Sequence, residues 1–139
     1  MGCDRGAPKV DFTTPESAIL MLEDAYRKKD IEAAVAAKDF VTESRVMLSQ
    51  LKRGVQNDSE LLKKSAEVLE LSYRVEMKNK GFPDFAGLQS RFVRRDKYQD
   101  FDDIVAVTEV CTFPDGGTST QTLLVKNTVN GWRVLNVVK

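Results

Sequence analysis

Up to Gly81 the apolar residues of this chain recur with a helical period, and from Gly87 they alternate. Thr14-Pro15-Glu16 reads as a helix start, with Thr14 as N-cap and Pro15 at the first helical position. Ala18, Ile19, Leu22, Ala25 and Tyr26 then make one apolar stripe, closed by basic Arg27-Lys28-Lys29. Asp30 caps a short second helix that buries Ile31, Ala34 and Val35. A third helix is predicted from Thr42 to Arg53 on Val46, Met47 and Leu51, with Gly54 just past its end. Asn57-Asp58-Ser59-Glu60 opens the fourth and longest, which carries Leu62, Ala66, Leu69, Tyr73 and Met77 and stops at Gly81 before Pro83. A second row on that helix holds Leu61, Val68, Ser72 and Val75.

The alternating half predicts four strands: Leu88 to Arg95, Ile104 to Phe113, Thr118 to Val129 and Trp132 to Val138. Tyr98 to Asp103 is expected to be an acidic loop. Asn130-Gly131 is a strong hairpin signal, because a type I′ turn needs positive φ at both central residues. Such a turn sets Val129 opposite Trp132, Asn127 opposite Val134 and Val125 opposite Asn136. Helices followed by an antiparallel meander make an α+β fold, N-terminal helices packed on a curved four-stranded sheet. The expected organisation is a flexible tail over residues 1–11 and one domain over residues 12–139.

The turns decide which residues share a face. Through Asn130-Gly131, Leu123, Val125, Asn127 and Val129 join Trp132, Val134, Asn136 and Val138. A two- or four-residue loop at Pro114–Gly117 adds Ala106, Thr108, Val110, Thr112 and Gln121, whereas a three-residue loop with a bulge inverts that last assignment. On the first choice the helix-facing side has no charged residue. The outer side then mixes Val105, Val107, Cys111, Leu124, Leu135 and Val137 with Glu109, Lys126 and Arg133, too apolar for a simply solvated face.

Composition narrows the chemistry. With 21 acidic and 21 basic residues the formal charge is zero, which argues against a nucleic-acid binder. Histidine is absent, which removes the commonest neutral-pH base and zinc ligand. Cys3 and Cys111 make no metal-ligand spacing, and no nucleotide loop or covalent-catalysis motif is found. No catalytic residue, cofactor or metal is expected on these grounds. Helix residues Tyr26, Tyr73 and Glu76 are the places a base could come from. No apolar run is long enough to span a bilayer, so a cytoplasmic protein is expected. The alternative is a lipoprotein anchored through Cys3, since Gly2-Cys3-Asp4 looks like a processed lipoprotein start.

Thr14-Pro15-Glu16 with its helix, Lys29-Asp30-Ile31-Glu32-Ala33-Ala34, and the closing Asn130-Gly131-Trp132-Arg133-Val134 together resemble the NTF2-like superfamily, the cystatin-like cone fold. Gly81-Phe82-Pro83-Asp84-Phe85, Val107-Thr108-Glu109-Val110-Cys111 and Pro114-Asp115-Gly116-Gly117-Thr118-Ser119-Thr120-Gln121 look like the bacterial NTF2-fold immunity proteins, which implies binding of a partner toxin. Enzyme members of the superfamily, isomerases, dehydratases and hydrolases, imply an Asp, His or Tyr inside the cone.

The expected function is therefore non-enzymatic protein binding, with small-ligand binding or isomerase/dehydratase-type chemistry in the cone as the alternative. Partner-contact candidates are Arg91, Arg94, Arg95, Val107, Leu124 and Leu135, and a homodimer through the outer sheet face is expected. Ligand-pocket candidates are Tyr26, Tyr73, Asn127, Trp132 and Asn136.

Overall fold

The computed structural model describes residues 11–51, 58–99 and 101–135. The expectations for Cys3, Gly54, Asn136, Val137, Val138 and most of the tail lie outside these residues. Helices α1 (Pro15–Lys28), α2 (Ile31–Ala36), α3 (Phe40–Ser49) and α4 (Ser59–Lys80) precede strands β1 (Gln89–Tyr98), β2 (Phe101–Thr112), β3 (Thr118–Thr128) and β4 (Gly131–Leu135). The strands form one antiparallel sheet in the order β1-β2-β3-β4, so the α+β architecture read from the sequence is the observed one.

Local chemistry sets the helix starts. Thr14 and Ser17 form a reciprocal capping box, and Asp30, Asp39 and Asp58 accept from the backbone N–H groups of Ala33, Thr42 and Leu61. Asp39 makes α3 start at Phe40 rather than Thr42. This start buries Phe40 along with Val46, which was expected, and leaves Met47 38% and Leu51 72% exposed, which was not. Helix α1 lies on the sheet, while the longer α4 packs chiefly on α3. Ala18, Ile19, Leu22, Val107, Val125 and Val134 form the main core with Ala66 and Tyr73 of α4.

The β3–β4 hairpin departs from the expected turn, and the β2–β3 loop takes the three-residue alternative. In the β3–β4 hairpin the pairs are Thr128 with Gly131, Asn127 with Trp132 and Val125 with Val134. Gly131 has φ 106° while Val129 and Asn130 stay at negative φ, so the turn is a type I turn with a glycine bulge, not type I′. The Thr128 hydroxyl accepts from Asn130 N–H and donates to the Gly131 carbonyl, which holds that geometry. Register slips by two residues, so Asn127 and Trp132 still share a face.

The β2–β3 loop has the opposite consequence. Phe113 N–H bonds the Gly117 carbonyl, Gly116 sits at φ 91°, and a three-residue Pro114-Asp115-Gly116 loop results. Val107 therefore pairs with Leu123 and Glu109 with Gln121. The inner face of β2 carries Val105, Val107, Glu109 and Cys111, not Ala106, Thr108, Val110 and Thr112. The uncharged inner face expected from the sequence is thus corrected by one residue of loop length.

The outer face is not an open apolar surface. Val46 of α3 packs on Ile104, Leu124 and Leu135 to form a second small core beside Tyr98 and Phe101. The helices thus lie on both faces of the sheet at this end. The expected acidic loop is also shorter, since β1 runs to Tyr98 and β2 starts at Phe101. Beyond β4, Val134 N–H bonds the Ala37 carbonyl and Asp39 N–H bonds the Val134 carbonyl, so the α2–α3 link covers that sheet edge.

Candidate functional site

Glu23 stands four residues after Ile19 and three before Tyr26, inside the buried stripe of α1. Glu109 faces it from β2. Their exposures are 2% and 0%, which makes the pair the main polar feature of the core. Ser90 Oγ donates to Glu23 Oε1 at 2.9 Å, and Gln121 Nε2 donates to Glu109 Oε1 at 2.8 Å. The Oε2 atoms of both acids find no hydrogen-bond donor. Burial, and next the neighbouring Glu109, push the Glu23 carboxyl up to about 9. Cys111, on the same strand face, is a buried free thiol raised to about 11 by burial first and the two acids second.

Glu23 and Gln121 open onto a cavity of about 230 Å³, also lined by Tyr26, Lys38, Pro83 and Phe85. The segment after α4 makes one wall of it. Phe85 stacks on Tyr26 with centroids 5.7 Å apart, Phe82 leans on the same ring, and Arg27 donates to the Phe85 and Leu88 carbonyls. The Tyr26 and Tyr73 hydroxyls lie 2.7 Å apart. Burial is the first cause that raises both tyrosines, so they stay protonated and act as hydrogen-bonding groups.

Lys38 forms a buried ion pair with Glu43 at 2.9 Å and lies 4.9 Å from the centre of the Tyr73 ring. Burial lowers the lysine and Glu43 works against that shift. Lys38 also borders a wider, open groove of about 800 Å³ between α3, α4 and the β3–β4 hairpin.

Of the ligand-pocket candidates, the structure brings Tyr26 and Tyr73 together. Trp132 is half-buried at the margin, opposite an exposed Asn127, and Asn136 lies outside the described residues. Among the partner-contact candidates, Val107, Leu124 and Leu135 are buried and form no exposed patch. Arg91 is exposed; Arg94 pairs with Asp96 at 2.7 Å, and Arg95 holds Glu16 through two bonds of 2.6 Å. A bulge at Val93 turns Arg95 toward α1 and makes that contact. Glu23, Glu109, Gln121 and Lys38 were not singled out from the sequence as site residues. For Glu23 the signal was present, an acid at helical spacing within an apolar stripe.

Two neighbouring buried acids, each with an Oε2 that no other residue donates to, make one substitution informative. Glu109→Gln keeps the shape, lets an amide N–H donate toward Glu23 and removes one buried acid. It should raise stability by about 1 kcal/mol in urea unfolding at neutral pH. A loss of stability would mean that the carboxylate of Glu109 is itself required for packing.

No protein-family model matches the chain, and no curated protein matches it. A solved structure described as an NTF2-like transpeptidase from Campylobacter jejuni is similar over 89% of this chain and 99% of that one, at 13% identity and TM-score 0.44. Likeness at that level assigns neither family nor activity. Among the described residues no helix is long and apolar enough to cross a membrane.

Proposed function

We propose that this chain binds a small molecule in its cone cavity. The observation that carries the reading is a half-open cavity of about 230 Å³ that places the carboxyl of Glu23 and the amide of Gln121 against apolar Ile19, Leu22 and Leu123. Mostly apolar walls with a few convergent polar groups are the usual composition of a ligand site. The volume is below that of sites for drug-sized molecules, so the ligand is a compact, mainly apolar molecule with one or two polar groups. Fragments of that kind, screened by ligand-observed NMR, should bind the wild type. They should lose at least tenfold in affinity to a folded Leu123→Trp variant that fills the space. Equal binding to both would defeat the reading.

A separate observation favours protein binding as a second reading, the kind that the immunity-protein resemblance implies. Val68, Leu71 and Val75 of α4 are 62%, 63% and 47% exposed and follow one another along the helix. Exposed apolar rows of this sort suit a partner helix. A partner captured by the wild type and lost with Leu71→Glu would support it.

A further inference from the structure

We propose that Glu23, Glu109 and Cys111 form a binding site for a zinc-class divalent cation. One carboxylate oxygen from each acid and the Cys111 sulfur lie within 4.8 Å of one another, and all three residues are buried. The reason for a cation is the pair of undonated Oε2 atoms on side chains 2% and 0% exposed. Ser90 and Gln121 donate to one oxygen of each acid and no other residue donates to the Oε2 atoms, which leaves them only the proton the two acids can share, and buried polar atoms so thinly partnered are uncommon in native structures. A metal ion would satisfy both oxygens together.

The donor set selects the class of ion. Two carboxylates and one thiolate suit zinc, a borderline ion that takes both oxygen and sulfur ligands. Calcium and magnesium prefer oxygen alone. Positioning is already built. Glu109 and Cys111 are two residues apart on one face of β2, α1 holds Glu23 over them, and Ser90 and Gln121 tie down Oε1 of the two acids. Glu23 and Gln121 line the cavity, which gives an ion a way in and leaves room for a non-protein ligand. Binding breaks the Cys111 S–H and Glu23 O–H bonds, forms metal–sulfur and metal–oxygen bonds and releases both protons to solvent, so affinity should climb with pH. This inference stands on the orphaned oxygens and not on the cavity's occupant.

The test uses the full chain carrying Cys3→Ser, stripped with a chelator and titrated with zinc alone against a chromophoric competitor. One equivalent should bind, and cobalt should give a near-ultraviolet sulfur-to-metal band. Glu109→Gln, expected to fold at least as well as the parent, should weaken zinc by about tenfold to a hundredfold. Cys111→Ser should erase the sulfur band. Zinc binding unchanged in both variants, or none at micromolar zinc, would overturn the proposal and leave a shared proton between the two acids. Fragment binding to the metal-free protein, measured alongside, keeps the fate of the cavity reading separate from this one.

Discussion

Replacing Lys38 by Met should cost about 3–5 kcal/mol of stability, among the largest losses expected from any single substitution in this chain. Lys38 and Glu43 have side-chain exposures of only 2% and 6%, and their charges meet at 2.9 Å. Removing the ammonium leaves a carboxylate that water cannot reach. The change also takes the cation from beside the Tyr73 and Phe40 rings, 4.9 and 5.4 Å away, contacts worth about 1–2 kcal/mol when desolvated. The first turn of α3 offers Glu43 some compensation from the helix dipole, so the lower end of that range applies if the helix end adjusts. Chemical denaturation of Lys38→Met, Glu43→Gln and the double variant forms the appropriate cycle. The double variant should be more stable than the sum of the single losses implies by at least 1 kcal/mol. Additive losses would show that the ions act independently.

Gly131→Ala should cost about 2–4 kcal/mol, and it has an internal control. Gly131 lies at φ 106°, where a side chain is strained, and an added Cβ would meet the Phe12 carbonyl oxygen at 2.6 Å and the Phe12 Cβ at 2.9 Å. Neither obstacle can swing away easily, because the Phe12 carbonyl accepts from Trp132 N–H at 2.8 Å and the Phe12 ring lies 3.7 Å from the Arg133 guanidinium. Gly116 has a similar φ of 91° but nothing within 4 Å of its Cβ position. Gly116→Ala should therefore lose only the backbone term, about 1–2 kcal/mol. The difference between the two variants measures the docking of Phe12 on β4. Equal losses at both positions would mean that this docking is weak.

The elements were legible because their signals are local. Capping aspartates, Pro15 at a helix start, Gly81 at a helix end and the change of period after it need no tertiary knowledge. What failed was parity. The turn after β3 slipped by two residues, and an even slip leaves every side chain on its expected face. The loop after β2 closed with three residues, and an odd change moved Glu109 and Cys111 from solvent to core. Both sequences contain a glycine at the bulge position, and nothing local distinguishes their consequences. Glu23 was overlooked for a different reason. An acid within an apolar stripe reads as a tolerated edge position until a second acid is seen to face it. Of the apolar residues expected on the outer sheet face, Val107 and Cys111 lie on the inner one, and Leu124 and Leu135 pack under Val46 of α3 at one end, an arrangement set by Asp39 capping that helix. Lys38 was hidden because it sits between two short helices, where no period exists to reveal burial.

The most direct test of a ligand-filled cone is a methyl-labelled NMR titration with the best-binding fragment. Saturable shifts confined to Ile19, Leu22, Leu123 and Val134, with Val68, Leu71 and Val75 of α4 unmoved, are the expected result. Shifts confined to the α4 row, or none at all in the cone, would contradict it.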